Sequence, residues 1–152
     1  MIQDLHIRLG QDHDAETVAN FNVAVARETE GRELQSGTVL AGVKKLLQKP
    51  EYGFYVVAEK DNQIVGSLMV TKEWSDWSDG LYWWIQSVYV EPQFRRQGIY
   101  SKLYDFVKKK AQSEKNVCGL RLYVESENVK AQTAYRNLGM RETSYRIYDE
   151  II

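Results

Sequence analysis

The segment Val88-Tyr89-Val90-Glu91-Pro92-Gln93-Phe94-Arg95-Arg96-Gln97-Gly98-Ile99-Tyr100-Ser101 passes from an apolar strand pattern, through a short polar turn, into the start of a helix. Glu91-Pro92 closes the strand, because proline has no N–H to give to a ladder. A helix leaves its first backbone N–H groups without partners inside it. Those groups point into the preceding turn with the positive end of the helix dipole behind them, which suits an anion such as a phosphate. Gly98 removes a side chain where a phosphate must come close, and Arg95 and Arg96 add positive charge beside it. Alone, Arg-x-x-Gly-x-Tyr also fits a glycine used for helix packing beside two solvated arginines, so the flanking elements carry the decision.

Downstream, helical spacing of Ile99, Leu103, Phe106 and Val107 predicts a helix from Gln97 to Glu114, leaving through the solvated Lys108-Lys109-Lys110. Val117 to Glu125 reads as a strand, with Cys118 as a small buried hydrophobe. Asn128 to Leu138 reads as a helix stopped by Gly139, and Met140 to Tyr148 as a closing strand. Upstream, Met1 to Leu9 suggests a first strand through Ile2, Leu5, Ile7 and Leu9. Asp12 or Asp14 can cap a helix bearing Ala15, Val18, Ala19, Val23 and Ala26, interrupted at Gly31. A second helix starts near Ser36, carries Val39, Leu40, Val43, Leu46 and Leu47, and ends before Pro50. Gly53–Glu59 and Ile64–Thr71 form a hairpin about Asp61-Asn62. The polar knot Glu73 to Gly80 then leads into a long strand, Leu81 to Val90. The order β-α-α-β-β-β-α-β-α-β implies an α/β domain spanning residues 1–152, a mixed sheet flanked by helices.

Composition narrows the function classes. The 152 residues are 43% hydrophobic, 12% aromatic and 27% charged, enough for an ordinary core and unlike a disordered chain. A formal net charge of -1 gives no field that would gather nucleic acid or anionic lipid, so neither is expected as a partner. No apolar run approaches the roughly 20 residues that span a bilayer, and Asp4, His6 and Arg8 break any signal-peptide pattern. A cytoplasmic location is the default expectation. The single cysteine rules out an internal disulfide or a cysteine metal cluster, and no metal is expected.

A second segment supports the first. Leu122-Tyr123-Val124-Glu125-Ser126-Glu127-Asn128 is followed by Ala131, Ala134, Tyr135, Leu138, Gly139 and Met140. By themselves, Asn128 reads as a helix cap and Tyr135 as a core aromatic. Together the two segments resemble the paired cofactor motifs of the GNAT superfamily of acetyl-CoA-dependent N-acetyltransferases. The first is similar to that family's pyrophosphate loop, Arg/Gln-x-x-Gly-x-Gly/Ala, with Arg95 and Gly98 matching and Tyr100 departing. The second is similar to its Asn-x-x-Ala-x-x-x-Tyr-x-x-x-Gly-Phe segment, with Met140 in place of the phenylalanine. The resemblance covers Gly53 to Met140 and implies the GNAT fold with acetyl-CoA as cosubstrate. It assigns the pantetheine arm to backbone groups of Val88, Tyr89 and Val90 and to Asn128. The pyrophosphate falls to Arg95, Arg96, Gln97, Gly98, Ile99, Tyr100 and Ser101, and the role of general acid to the CoA thiolate to Tyr135.

The implied reaction is attack of an amine on a thioester. A lysine-like amine titrates near 10.4, so freeing it of its proton at pH 7 costs roughly 4.6 kcal/mol, and a base or a desolvating site is required. Many members of the superfamily carry a glutamate where Gln86 aligns, and Gln86 cannot take a proton. Glu28, Glu30, Glu33, Glu73, Asp76 and Asp79 remain as alternatives, each of which also suits a solvated surface. The glutamates 28, 30 and 33 would suit a cationic acceptor. Trp74 and Trp77 would attract an ammonium by their ring faces, and equally suit a contact in a homodimer. Trp83 and Trp84 are adjacent on a strand, so they point to opposite faces and at least one belongs to the core. The acceptor is expected to be a small amine-bearing molecule. A protein acetyltransferase acting on lysine or N-terminal amines, and a non-catalytic acyl-CoA sensor, remain as alternatives.

Overall fold

The structure, a computed structural model, describes residues 4–152; Ile2, expected in the first strand, lies outside them. The chain divides into two compact units, Met1–Leu122 and Tyr123–Ile152. Among the described residues, no helix is long and apolar enough to cross a membrane.

The first unit is a five-stranded sheet in the order β1-β2-β3-β4-β5. The strands are β1 Leu5–Leu9, β2 Gly53–Lys60, β3 Gln63–Ser75, β4 Gly80–Val90 and β5 Val117–Arg121. The first four pair antiparallel in sequence order, and β5 returns parallel to β4 after helix α3, Ile99–Ser113. Helices α1, Ala15–Glu30, and α2, Ser36–Leu47, connect β1 to β2. Gly31 ends α1 in the left-handed region at φ +62, which a glycine adopts without cost.

The two faces of the sheet are covered by different helices. Tyr55 and Val57 of β2 pack with Ala15, Val18, Ala19 and Val43 of α1 and α2, and Met69 of β3 joins that cluster. The alternate residues face α3. Phe54 lies edge-on to Trp83, 5.1 Å between ring centres, and Lys110 of α3 sits over the Phe54 ring. A Cβ placed on Gly66 would come within 3.4 Å of Ile99, so this glycine lets the helix start lie close against the strand.

The hairpin of β3 and β4 is longer than its sequence pattern suggested. The expected polar knot is absorbed in part into β3, where Glu73, Trp74 and Ser75 pair with Tyr82, Leu81 and Gly80. Cross-strand hydrogen bonding does not require apolar side chains, so the ladder runs on past the core. Cys118, expected to be buried, is exposed. It stands on β5, which ends the sheet order and, among the described residues, pairs with β4 alone.

Asp14 ties the first strand to α1. Its carboxylate is 3% exposed and accepts from both Nη atoms of Arg8, at 2.7 and 3.0 Å, and from the Gln11 amide at 2.8 Å. Arg8 also donates to Glu59 on β2 at 3.0 Å. Asp14 therefore reaches back to an amide ahead of the helix, the returning half of a capping box.

The second unit contains α4, Val129–Asn137. Asn128 caps it, its Oδ1 accepting from the Ala131 amide at 3.1 Å. Gly139, at φ +95, ends it in a Schellman turn, with Met140 N donating to Tyr135 O and Gly139 N to Arg136 O. The expected closing strand over Met140–Tyr148 does not form, and β5 stops at Arg121 rather than Glu125. Alternation makes a strand only where an edge accepts its N–H and C=O groups. Among the described residues Met140–Tyr148 joins no ladder, and Tyr145, Ile147 and Tyr148 are exposed.

Burial alone would raise the Asp14 pKa, but the hydrogen bonds from Arg8 and Gln11 outweigh it and hold the carboxyl below its ordinary range. Its stabilising contribution is present above the unfolded value near 3.9 and is lost as pH falls through the folded one. Replacing Arg8 by Met strands a buried carboxylate and is expected to lower stability at pH 7 by about 3 kcal/mol. Denaturant unfolding of both proteins at pH 7 and pH 3 checks this: the gap should narrow at pH 3, where Asp14 can take a proton.

Candidate functional site

The site is built around an irregularity in β4. Met69 pairs with Gln86 and Ser67 with Tyr89, so Leu68 alone stands opposite both Ser87 and Val88. This is a β-bulge, with Ser87 in the left-handed region at φ +52. The extra residue shifts the alternation, so that Gln86 and Tyr89 both face α1 and α2. Gln86 lies opposite Met69, and the Tyr89 ring stacks on Phe21 of α1, 4.9 Å between centres. On its other side β4 pairs with β5 only along Leu81–Trp84. No β5 residue pairs with Gln86–Val90, and the backbone groups of Val88, Tyr89 and Val90 lie on this released stretch.

The chain then turns sharply into α3. Glu91 N donates to Val65 O at 2.9 Å, and Pro92–Phe94 makes one tight helical turn. Arg95 draws back over the end of β4. Its Nε donates to Val90 O at 2.8 Å, its Nη2 to Glu28 Oε2 at 2.8 Å, and its guanidinium lies 5.4 Å from the Tyr89 ring centre. Burial, followed by the charge of Glu28, pushes the Tyr89 phenol above its ordinary value. Arg96 at φ +63 and Gly98 at φ +81 are both left-handed and curl the backbone into the first turn of α3. A side chain on Gly98 would meet nothing within 4 Å, so the space before the helix is open. Gln97 Nε2 donates to Gln93 O. Ile99 is buried, the Tyr100 ring lies 6.4 Å from that of Tyr104, and Ser101 is exposed. The helical ladder opens with Lys102 N to Gly98 O. The amides before that point have no acceptor inside the helix, and Arg96, Gln97 and Gly98 are exposed beside them.

The expected acceptor residues are placed less uniformly. Glu28 is engaged by Arg95, and Glu33 is held by Arg27 through Nε and Nη2 at 2.7 and 2.8 Å. Glu30 is exposed. Two of the three glutamates are thus already neutralised by arginines. Trp74 and Trp77, 60% and 91% exposed, stand at the end of the β3–β4 hairpin. Trp83 is the core member of its pair, 1% exposed. Gln86 Nε2 donates to Thr71 Oγ1 at 2.6 Å.

Sequence reasoning missed a cluster on the same face as Gln86. Trp84 Nε1 and Arg121 Nη1 both donate to Glu73 Oε1, at 3.2 and 2.9 Å. The Arg121 guanidinium lies 3.5 Å from the Tyr82 ring centre. Three strands contribute: Glu73 pairs with Tyr82, and Trp84 with Arg121. Period-two spacing of Tyr82, Trp84 and Gln86 could have revealed a shared face, but nothing in the sequence gives the β5 register.

In the second unit, Asn128 spends its Oδ1 on the helix cap. Tyr135 stands on α4, half-buried, and that burial pushes its phenol above the ordinary value.

The chain as a whole is similar to known proteins. The family model described as "Acetyltransferase (GNAT) family" matches residues 11–140. The "possible acetyltransferase" of Clostridium difficile 630 is 40% identical, with a TM-score of 0.92 and 99% of each chain covered. A predicted acetyltransferase from Clostridium acetobutylicum, solved with acetyl-CoA, shares the fold at 17% identity, with a TM-score of 0.79 and 96% of each chain covered. AAC(6')-Iy, in complex with the bisubstrate analog CoA-S-monomethyl-acetylneamine, does so at 18% identity, with a TM-score of 0.77 over 97% of this chain and 98% of its own. A search of curated protein sequences finds no match. By the family match over residues 11–140 and the 40% identity to the Clostridium difficile protein, the chain belongs to the GNAT acetyltransferase family.

Proposed function

We propose that residues 1–152 act as one N-acetyltransferase domain that moves the acetyl group of acetyl-CoA to a primary amine of a small molecule. The observation that carries this reading is the release of β4 from β5 beyond Trp84, followed at once by the open turn at Gly98. A released strand edge offers N–H and C=O groups at a regular spacing, the complement of an amide-bearing arm such as pantetheine. The turn offers helix-start amides and the Arg96 guanidinium to a pyrophosphate. The vacant space at Gly98 fits such a group.

Each residue then has a defined part. Val88, Tyr89 and Val90 hold the pantetheine arm by backbone hydrogen bonds, and an N–H of this stretch polarises the thioester carbonyl. Arg96 to Ser101 hold the pyrophosphate through backbone groups; the buried Ile99 side chain anchors the turn. Arg95 works differently from Arg96. Bound to Val90 O and Glu28, it braces the end of β4 against α1. The neutral amine nitrogen bonds to the carbonyl carbon, the carbon–sulfur bond then breaks, Tyr135 gives its phenolic proton to the departing sulfur, and the proton that the nitrogen sheds passes through solvent to restore the phenol. A phenol raised above its ordinary value keeps that proton at neutral pH.

Calorimetric titration with acetyl-CoA, followed by a screen of amines for thiol release, tests the reading. Binding with release from one amine class is expected; the lack of any binding would reject it. In Gly98→Trp, a bulky side chain fills the open turn, so acetyl-CoA affinity should fall at least a hundredfold. The strained φ should cost only about 1 kcal/mol of stability, so a thermal melt run beside the titration separates the two effects. For Tyr135→Phe, kcat should fall at least tenfold with acetyl-CoA affinity unchanged. The wild-type kcat should also decline only above pH 10, as the raised phenol ionises, and the variant should lack that limb. A wild-type profile with no such limb removes Tyr135 from the mechanism.

A further inference from the structure

The geometry points to Arg121 as a specificity residue that holds a carboxylate on the acceptor, which makes the acceptor an amino acid-like amine. This inference rests on the transferase reading above and names the substrate class of the same site.

Arg121 is the last residue of β5 and pairs with Trp84, the last β4 residue that β5 engages. It therefore stands at the point where the two strands part. Gln86 follows two residues along β4 on the same face, roughly 7 Å away at a strand's rise per residue. A molecule that presents an amine to the released edge of β4 can reach Arg121 with a group a few bonds removed from that amine.

The side chain is prepared for such a contact. Its guanidinium lies on the Tyr82 ring at 3.5 Å, and Nη1 is tied to Glu73 at 2.9 Å. Trp84 fixes Glu73 in turn. A guanidinium held on one face and at one end has lost most of its rotamer freedom before any ligand arrives, so less entropy is spent on binding. Its Nε and Nη2 have no partner among the described residues, and the side chain is 30% exposed. This edge carries two parallel N–H groups that match the two oxygens of a carboxylate. The same edge of Arg27 already holds both oxygens of Glu33 elsewhere in this chain.

The alternative of a purely cationic acceptor has less support. Glu28 and Glu33 are paired with arginines, and Glu73, the acidic member of this cluster, shares one oxygen between two donors. Much of the charge that would draw a polyamine to this face is compensated, and the open pair of donors on Arg121 is cationic.

Thiol release should be measured with matched pairs of acceptors, each an amino carboxylate and its primary amide. The wild type should favour the carboxylate at least tenfold in kcat/KM. Arg121→Gln should lose that preference through a raised KM, with acetyl-CoA affinity and amide turnover unchanged, and Arg121→Lys should restore it in part. Equal use of both members by the wild type, or an undiminished preference in Arg121→Gln, overturns the inference while leaving the transferase reading intact. Acetyl-CoA binding without release from any amine overturns both. Should Arg121→Gln fail to fold, a non-reacting carboxylate decides on the wild type: it should inhibit amide turnover competitively with the amine, and no inhibition counts against Arg121.

Discussion

β4 serves an antiparallel neighbour on one side and a parallel neighbour on the other, and the second leaves it at Trp84, just ahead of the bulge at Ser87. As far as Trp84 the strand is bonded on both edges, to β3 and to β5. Beyond it, among the described residues, the strand keeps β3 alone. The extra residue also resets the alternation, which brings Gln86 and Tyr89 to one face within three residues. A regular strand would have put them on opposite faces. The stacking of Tyr89 on Phe21 and the position of Arg95 over Tyr89 follow from that insertion.

Charge in this protein is used mainly for bracing. Arg8 joins β1, the start of α1 and β2 through Asp14 and Glu59. Arg95 joins the end of β4 to α1 through Glu28. Arg121 joins β5 to β3 through Glu73. The pairs of Arg95 and Arg121 are partly exposed and individually weak, but each of these arginines has a second contact that removes its freedom. For Arg95 and Arg121 that contact is an aromatic ring. A near-neutral chain can thereby present a few oriented donors without a strong overall field.

Much of the fold was legible because burial imposes a period on the sequence. The two N-terminal helices, the hairpin, α3 and α4 all carry it, and Gly31 and Gly139 stop their helices for the stated reason. The two helix starts were legible because a glycine turn and a helix cap are local: Gly98 and Asn128 act within a few residues of themselves. Features that depend on distant partners were not. β3 runs on to Ser75 because β4 pairs with it there, whatever the polarity of its side chains. Cys118 is exposed although its neighbours on β5 are half-buried, which an apolar run does not reveal. Met140–Tyr148 has the alternation of a strand without a ladder to join.

The sequence by itself determined the family, the layered α/β plan, the glycine turn before α3 and the Asn128 cap, all of which follow from period and local conformation. Tertiary structure alone decided which glutamates are already paired, since Glu28 and Arg95 are 67 residues apart. It alone decided that Trp83 rather than Trp84 is buried, because the sheet register and the side covered by α3 choose between them. It alone brought Glu73, Tyr82, Trp84 and Arg121 together, because pairing between three strands depends on where each ladder begins and ends, and no local run of residues contains that information.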